Sequence, residues 1–333
     1  MKPPNFWNHA PDQPGLFGTL LAPLAAVSTY LGARRLAKTS SYKASVPVIC
    51  IGNINIGGTG KTPTAIALAG RLISDGYVVH IVSRGYGGSH NGPVRVLPTN
   101  HTAEIVGDEP LLLAAFAPTW VSKDRAHGVR AAELDGAEII ILDDGFQNPS
   151  VHKDLSIIVA DARIGFGNGR VFPAGPLREP IERGLQRADI ILVIGDDASQ
   201  NNFADTWQRK ISVPQVTGQL SPLETGMDWQ GMRVLAFAGI GHPEKFFATL
   251  RSLGADIIEA VALDDHQKLS GTLMKRLDHQ AKSLNAQLVT TEKDAVRLPA
   301  HFKSQVLTVP VRLQLASWDD VDKALRRAGI IPA

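Results

Sequence analysis

The sequence predicts an α/β protein in which a mostly parallel sheet is flanked by helices, with a second, smaller α/β domain and an N-terminal apolar helix. From residue 46 onward, short runs rich in β-branched residues alternate with helical stretches, as in parallel sheets. The runs are continuously apolar, which indicates strands buried on both faces. A glycine-dense turn joins the first run to the first helical stretch. These three observations define the fold class.

A chain of 333 residues has room for two domains. We expect an N-terminal membrane-interfacial helix over residues 1–45, a core domain over 46–228 and a smaller C-terminal α/β domain over 229–333. The boundary falls at the end of the stretch 196–228 because this stretch is polar and punctuated by proline and glycine.

The strands and helices are predicted from the apolar runs and the stretches between them. In the core domain the predicted strands are VPVICIG, YVVHIVS, PTWVSKD, EIIILDD, LSIIVAD and ADIILVIG, with a helix near 61–75 after the first. In the second domain they are RVLAFAG, ADIIEAVAL and AQLVTTEKD, with helices near 243–253 and 270–284. The segment QVLTVPVRLQL and a short helix close the chain.

The N-terminal segment carries 21 uncharged residues between Asp12 and Arg34. Its larger apolar residues recur at spacings of three and four, which predicts one stripe along a helix: Phe17, Leu20, Leu24, Val27 and Leu31. Pro23 is expected to kink this helix. Glycine, serine and threonine dilute the segment, and basic residues follow it (Arg34, Arg35 and Lys38), so a helix lying at the membrane interface is favoured over a spanning one. The alternative is a helix packed on the protein's own core.

Composition excludes several classes of protein. The net charge of +2 gives no global field for nucleic acid, and no partner that binds nucleic acid is expected. The single cysteine, Cys50, excludes a disulfide framework and indicates a reducing compartment. A secretory signal would place the glycine-dense turn outside the cell, away from nucleotide, and is rejected. No feature of the sequence requires an obligate protein partner.

The turn NINIGGTGKTP resembles a phosphate-binding loop, and it makes the core P-loop NTPase-like. The common pattern is glycine, four residues, then Gly-Lys-Ser/Thr, and here Asn55 occupies the first glycine position, where we expect it to tolerate left-handed backbone angles. The residues expected to bind nucleotide are Asn55, Gly57, Gly58, Thr59, Gly60, Lys61 and Thr62. Lys61 would reach the β- and γ-phosphates and Thr62 would hold Mg²⁺. In partitioning and metal-chaperone ATPases a signature lysine stands at the position of Ile56, so the sequence weakens the interpretation of this chain as such a dimeric switch ATPase.

A second metal element is predicted at the end of the run EIIILDD. Asp143 and Asp144 end this strand and precede Gly145. A carboxylate at the carboxyl end of a strand beside the loop suits the Mg²⁺ side of a P-loop site. A surface turn would also use Asp-Asp-Gly, and we favour the metal role.

An ordered set of motifs resembles the tetraacyldisaccharide 4′-kinase family, the lipid A 4′-kinases. The set is GGTGKTP, SRGYGG, VGDEP, DDGFQ, GFGNGRVFPAGPLREP, GIGHPEKFF, DDHQKL and TEKD, and it extends over nearly the whole chain. Two departures are visible: Asn148 replaces a histidine that usually follows DDGFQ, and Gln267 replaces the second of a histidine pair that begins at His266. Neither departure touches the loop lysine or the aspartates.

The resemblance implies catalytic roles for three residues. The aspartate of Gly-Asp-Glu-Pro, Asp108, would be the base, and it would be paired with His266 from the second domain. Lys61 completes the catalytic set. From the residues alone, Asp108 could equally be the N-cap of a helix beginning at DEPLLLAAF.

Further residues are assigned to the substrate and the nucleotide. Arg84 and Arg178 are candidate anion clamps, for ATP phosphates or the 1-phosphate of the substrate. A loop salt bridge is the alternative for each of these two and for Glu179. Glu179 is a candidate for bonding sugar hydroxyls, and Asn53 and Gln147 are placed on the substrate side. Glu292, Lys293 and Asp294 follow a strand of the second domain and are assigned to nucleotide positioning.

The function that the resemblance implies is ATP- and Mg²⁺-dependent phosphorylation of the 4′-hydroxyl of a tetraacylated glucosamine disaccharide 1-phosphate, in lipid A biosynthesis. The partners would be this membrane lipid and the inner-membrane surface, and the location the cytoplasmic face of the bacterial inner membrane. Two alternatives remain at this point: a membrane-associated nucleotide-switch ATPase, and a kinase of a soluble small molecule.

Overall fold

A computed structural model describes residues 4–37 and 41–332. Lys38, which the sequence groups with the basic residues after the apolar stripe, lies outside the described residues. The described chain forms one nine-stranded and one four-stranded sheet. The fold class is therefore the α/β class that the sequence predicts.

The strands follow the predicted apolar runs closely. In chain order they are β1 Val48–Gly52, β2 Val79–Ser83, β3 Val94–Arg95, β4 Thr119–Val121, β5 Ile139–Asp143, β6 Leu155–Asp161, β7 Ile190–Ile194, β8 Gln215–Pro222, β9 Arg233–Ala238, β10 Asp256–Ala262, β11 Gln287–Thr291, β12 Val306–Val309 and β13 Val311–Leu315. The large sheet has the order β13-β8-β7-β6-β1-β5-β2-β4-β3, and the small sheet has the order β10-β9-β11-β12.

The helices lie between these strands. They are α1 Gly15–Leu20, α2 Ala22–Ala37, α3 Lys61–Ser74, α4 Ala103–Val106, α5 Asp108–Leu113, α6 Arg125–Leu134, α7 Ile181–Leu185, α8 Asp197–Trp207, α9 Pro243–Ser252, α10 Gly271–Ser283, α11 Glu292–Ala295 and α12 Asp319–Arg327. Short 3-10 turns lie at Asn5–Asn8, Gln208–Lys210 and Ala300–Phe302.

The large sheet is parallel from β8 across to β4, and only its edge strands β3 and β13 run antiparallel to their neighbours. Strands β1, β5, β6 and β7 are buried along their whole length. Apolar clusters cover both faces of this sheet, which explains why the runs do not alternate in hydrophobicity. All the parallel strands end at one edge, where their connecting loops meet.

The chain crosses between the two sheets twice, and the first crossing, between β8 and β9, contains the predicted division after residue 228. The stretch 196–228, expected to be a boundary, contains α8 and β8. After β12, the chain returns to the large sheet as β13, and Val321 and Leu325 of α12 are buried in the core of that sheet. The predicted range 229–333 is therefore larger than the small sheet and its helices. Only Pro310 separates β12 from β13, so no shift in composition marks the return.

The N-terminal segment forms two helices, separated at Leu21. Pro23 lies in the first turn of α2, where no amide donor is needed, so it does not kink the helix. The apolar stripe is exposed: Phe17, Leu20, Leu24, Val27 and Leu31 each leave 55% to 64% of their surface open. Of the α2 side chains only Ala25 is buried. No helix in the described ranges is both long and apolar enough to cross a bilayer.

Candidate active site

The phosphate-binding loop connects β1 to α3 at the carboxyl edge of the large sheet. Gly60 precedes α3 with a φ of 101°, and Gly57 has a φ of 118°, conformations that favour glycine. A Cβ at Gly60 would lie 2.7 Å from Cδ1 of Ile194, whereas a Cβ at Gly57 or Gly58 would meet no atom within 4 Å. The loop is thus packed below Gly60 and open beside Gly57 and Gly58, as a cradle for an anion requires.

Asn55 replaces the first glycine for a reason other than the expected one. The described residues other than glycine with positive φ are Asp144, His266 and Asn285, so Asn55 is not left-handed. Its side chain is buried, and its Nδ2 donates to the carbonyl of Gly165 at 3.0 Å. Asn55 therefore ties the loop to the segment that begins at Gly165.

Asn53 shapes the loop from inside. Its side chain has no exposed surface, and its Nδ2 lies 3.1 Å from both the Gly57 carbonyl and the Thr59 hydroxyl. The side chain of Asn53 therefore holds the loop, and its contact with substrate stays a prediction.

Two aspartates at the end of β5 face the loop lysine with different electrostatics. Burial raises the pKa of Asp143 to about 7, with a contribution from Glu109, while its Oδ2 accepts a hydrogen bond from Ser83 at 3.0 Å. Burial also acts to raise the pKa of Asp144, but Lys61 and Arg178 outweigh it and the pKa is lowered. Nζ of Lys61 lies 3.6 Å from Oδ1 of Asp144. An enclosed carboxylate that protonates near neutrality is suited to a cation, which would restore its charge.

The loop after Asp144 orients Gln147. Nε2 of Gln147 donates to the Asn53 carbonyl at 2.8 Å and to Oε1 of Glu179 at 2.9 Å. Nη1 of Arg178 donates to Oδ1 of Asp144 at 3.2 Å and to Oε1 of Gln147 at 3.3 Å. The guanidinium of Arg178 therefore already bonds other side chains of the site. Arg84, in contrast, is exposed and directly follows β2.

Two basic residues that sequence reasoning missed hold this same loop. Nζ of Lys153 donates to the Asn148 carbonyl at 2.6 Å. Arg187 donates to the Phe146 carbonyl at 3.3 Å, pairs with Glu179 and stacks on the ring of Phe146. Neither residue stands in a motif, and their targets are main-chain carbonyls, so the sequence carries no signal for these contacts.

Asn148, one of the two departures from the family pattern, caps its own turn. Its Oδ1 accepts hydrogen bonds from the amide of Ser150 at 2.8 Å and from its hydroxyl at 2.6 Å. The other departure, Gln267, accepts an amide hydrogen bond from Asp264 at 3.0 Å. Both residues stabilise local turns.

The two sheets meet at a carboxylate and an imidazole. Nδ1 of His266 lies 2.8 Å from Oδ2 of Asp108, a pair 158 positions apart in the chain. The hydrogen bond to Asp108 raises the pKa of His266. Burial acts to raise the pKa of Asp108, but His266 and Lys293 outweigh it and the pKa is lowered. Both shifts favour the ionised carboxylate paired with imidazolium.

The helix-cap alternative for Asp108 does not describe this geometry. Asp108 is the first residue of α5 and Gly107 occupies the N-cap position; among the described amides, the Asp108 side chain accepts a hydrogen bond from that of its neighbour Glu109, at 2.9 Å, rather than from one further along the helix. Gly107 has a φ of 91°, and a Cβ there would lie 2.7 Å from the Tyr86 carbonyl. The tight turn before α5 therefore presses VGDEP against SRGYGG and turns Asp108 toward His266.

The backbone of His266 is held by a hydrogen bond to a residue next to a strand of the small sheet. It is left-handed, with a φ of 59°, and its amide donates to the Gly239 carbonyl at 3.1 Å. The Gly239 amide in turn lies 3.1 Å from Oδ2 of Asp294, which is fully buried and also pairs with Arg297. This chain of contacts fixes the backbone that presents the imidazole.

The TEKD motif is divided among different contacts. Nζ of Lys293 lies 3.1 Å from Oε1 of Glu109 and 3.4 Å from Nε2 of His266. Glu292 pairs with Arg312 at 2.6 Å, and Asp294 supports Gly239. The assignment of these three residues to nucleotide binding stays a prediction, and of the three only the side chain of Lys293 lies beside the Asp108–His266 pair.

A cavity of about 830 Å³ opens beside the loop, between α2, α7 and the start of α6. Asp144, Gln147, Arg178 and Glu179 line it at the sheet edge, and Arg84 and Arg125 line it too. Arg125 was not identified from the sequence, because the stretch SKDR matches no motif. Its guanidinium is buried, and Nη1 donates to the Ser122 carbonyl at 2.8 Å.

The glycine cradle, the loop lysine, the paired aspartates and the carboxylate–imidazole pair are the arrangement expected of a P-loop phosphotransferase. The family model described as tetraacyldisaccharide-1-P 4′-kinase (LpxK) matches residues 17–329. The chain belongs to this family.

Relatives and a solved structure agree over nearly the full length. The chain is 62% identical to a tetraacyldisaccharide 4′-kinase of Jannaschia sp. (strain CCS1), over 98% of each chain. It is 57% identical to that of Dinoroseobacter shibae, over 98% of this chain and 97% of the relative. The structure of LpxK from Aquifex aeolicus in complex with ATP superimposes with a TM-score of 0.74 at 26% identity, covering 94% of this chain and 99% of the other.

Proposed function

We propose that this chain transfers the γ-phosphoryl group of ATP to the 4′-hydroxyl of a tetraacylated glucosamine disaccharide 1-phosphate, in lipid A biosynthesis. The observation that carries the proposal is the Asp108–His266 pair at the edge that also holds the phosphate loop. A hydrolytic switch needs no base for a sugar hydroxyl, whereas a kinase benefits from one. Family membership favours the kinase over both alternatives.

The proposed roles follow from charge and position. Asp108, kept ionised by His266 and Lys293, accepts the proton of the attacking hydroxyl. Lys61 and the amides near Gly57 and Gly58 hold the phosphates, and Gln147 and Glu179 offer polar groups to the sugar.

The residues present fit Mg²⁺. Among the described residues no cluster of three or more acidic, histidine or cysteine side chains forms a closed cage, and Mg²⁺ in kinases takes one or two carboxylates with phosphate and water oxygens. Asp143, Asp144 and the Thr62 hydroxyl would hold it, and the buried Asp143, with its pKa near 7, lacks a cationic hydrogen-bond partner of its own among the described residues. When bound, the ion neutralises charge on the transferring phosphate.

We propose that the exposed stripe of α1 and α2 rests on the cytoplasmic face of the inner membrane. A tetraacylated lipid leaves the bilayer at a cost of about 0.8 kcal/mol per CH₂ group, so the enzyme must approach the surface. The stripe is open to solvent, and Arg34 and Arg35 follow it in the last turn of α2. Anionic headgroups attract such basic residues.

The membrane proposal is tested by flotation with vesicles containing anionic lipid. Replacing Leu20, Leu24 and Leu31 by serine should abolish flotation, whereas Leu134→Ser, which removes an even more exposed leucine from α6, should leave it unchanged. Retained flotation of the triple variant, or of a protein lacking residues 1–40, would contradict the proposal.

The reaction is tested with labelled ATP, Mg²⁺ and detergent-dispersed tetraacyldisaccharide 1-phosphate. We expect label to move to the lipid with the wild-type protein and at a greatly reduced rate with Asp108→Ala. Label found only as free phosphate would overturn the kinase proposal in favour of an ATPase.

A further inference from the structure

The cavity beside the phosphate loop carries an excess of positive charge. Seven basic side chains line it, against two carboxylates, Asp144 and Glu179. Both carboxylates are already paired with cavity residues, Asp144 with Arg178 and Glu179 with Arg187. The remaining cations face a volume of about 830 Å³, which suits a disaccharide headgroup and is too small for four acyl chains as well.

Two of these cations lie away from the sheet edge. Arg35 is in the last turn of α2, and Arg183 is in α7; both are exposed. Within the described ranges neither side chain has a hydrogen-bond or ion-pair partner. Glu182, next to Arg183, pairs with Lys210 at 3.6 Å instead. Two guanidinium groups without partners on the wall of one cavity are suited to a shared anion.

The faces of α2 relate this anion site to the membrane. Thr29, Gly32, Ala33 and Leu36 line the cavity. At 3.6 residues per turn they lie about 160° around the helix from the stripe of Leu24, Val27 and Leu31. Arg35 falls on the border between the two faces. A lipid whose chains stay on the stripe side can therefore place its headgroup in the cavity past Arg35.

Resting on the proposed function, we infer that Arg35 and Arg183 bind the 1-phosphate of the acceptor and thereby select the phosphorylated disaccharide. The acceptor is a disaccharide with its reacting hydroxyl on one sugar and its phosphate on the other. The reacting end must approach Asp144 and the phosphate loop, which leaves the phosphate toward α2 and α7. Arg178 is less suited, because Asp144 and the Asn55 carbonyl already occupy its guanidinium.

The test compares two acceptors, the tetraacyldisaccharide 1-phosphate and the same lipid with a free 1-hydroxyl, in neutral detergent micelles. Arg35→Ala and Arg183→Ala should each lower kcat/KM for the phosphorylated acceptor by about 10- to 100-fold, as expected for a charge-assisted hydrogen bond. For the dephosphorylated acceptor, the kcat/KM of each variant should stay within about twofold of the wild-type value.

Arg34→Ala is the matched control, since Arg34 is an exposed neighbour on α2 that does not line the cavity. Because the neutral detergent is in large excess over either acceptor, any loss that Arg34→Ala causes should be equal for the two acceptors. Thermal melting and ATP binding of each variant establish that it is folded.

Equal losses on both acceptors for Arg35→Ala and Arg183→Ala would overturn the assignment of the phosphate subsite while leaving the kinase activity intact. Absence of transfer to either lipid by the wild-type protein would instead refute the proposed function itself. Selective loss on the phosphorylated acceptor supports the subsite.

Discussion

In the phosphate loop the side chain of Asn53 bonds near neighbours, whereas the Asp108–His266 pair joins residues 158 positions apart from two sheets. Asn53 bonds Gly57 and Thr59 within six positions, so these contacts can form with β1 and α3, and the bond from Asn55 to Gly165 then attaches the loop to the rest of the core. The pair depends on how the small sheet rests against VGDEP. We therefore expect substitutions in the loop to act mainly on the loop itself. The geometry of the pair, in contrast, depends on how the small sheet packs against the large one.

The largest expected effect comes from a substitution in the phosphate loop. Lys61→Ala removes the cation that lies 3.6 Å from Asp144 and that we propose binds the nucleotide phosphates. We expect transfer to fall about 1,000-fold, the size of a lost charge contact in phosphoryl transfer. Steady-state rates and thermal melting measure it; activity within tenfold of wild type would contradict the role.

The next effect separates the two members of the pair. His266→Ala removes the partner that lowers the pKa of Asp108, while burial, which raises that pKa, remains. The acid limb of the kcat/KM profile should therefore move to higher pH, with a loss of about 100-fold near neutrality. An unshifted limb in His266→Ala would show that the imidazole does not act through Asp108. Asp108→Asn should abolish the limb altogether.

A smaller effect tests whether main-chain anchoring of the loop after β5 supports Gln147. Lys153→Met leaves the Asn148 carbonyl without its 2.6 Å donor, and we expect kcat/KM to fall about tenfold through a higher KM for the lipid. Lys153→Arg restores a donor and should recover most of the loss. Equal losses in the two variants would exclude the hydrogen bond as the cause.

The smallest effect concerns stability in the absence of nucleotide and metal. Because the pKa of Asp143 is raised to about 7, its stabilising contribution is present at low pH and is lost as pH rises through 7. Asp143→Asn should therefore raise Tm by a few degrees at pH 8 relative to wild type, and by less at pH 5. Asp144→Asn is the matched control with the opposite sign, since the pKa of Asp144 is lowered. Melting in EDTA at both pH values checks both.

The two regions also differ in how far the sequence predicted them. Apart from β3 and β8, the strands followed from periodicity and spacing, as did the helix after the loop and its glycines, because these properties are local. The partnership of Asp108 with His266 came from family resemblance alone, since no spacing links them. Lys153, Arg187 and Arg125 bond carbonyl groups whose positions exist only in the folded chain.

The return of the last strand escaped prediction for a similar reason. VLTVPVRL reads as one extended segment, yet its two halves belong to different sheets. Pro310 lies between the last pairing of β12 with the small sheet and the first pairing of β13 with the large sheet. The sequence alone does not show which strand each of these two segments pairs with.

That return makes Pro310 the whole connection between Val309 of the small sheet and Val311 of the large one. The segment 223–232 is a second connection between the same two bodies. A body attached at two points can rotate about the line through them more readily than it can shift sideways. Rotation of the small-sheet body about that line would move the imidazole of His266 relative to the carboxylate of Asp108, so the alignment of the pair would depend mainly on this one angle. Glycines inserted at Pro310 would lengthen this connection and allow the small-sheet body to move in other directions as well. The alignment of His266 with Asp108 would then be less well defined, although no side chain of the site had been altered.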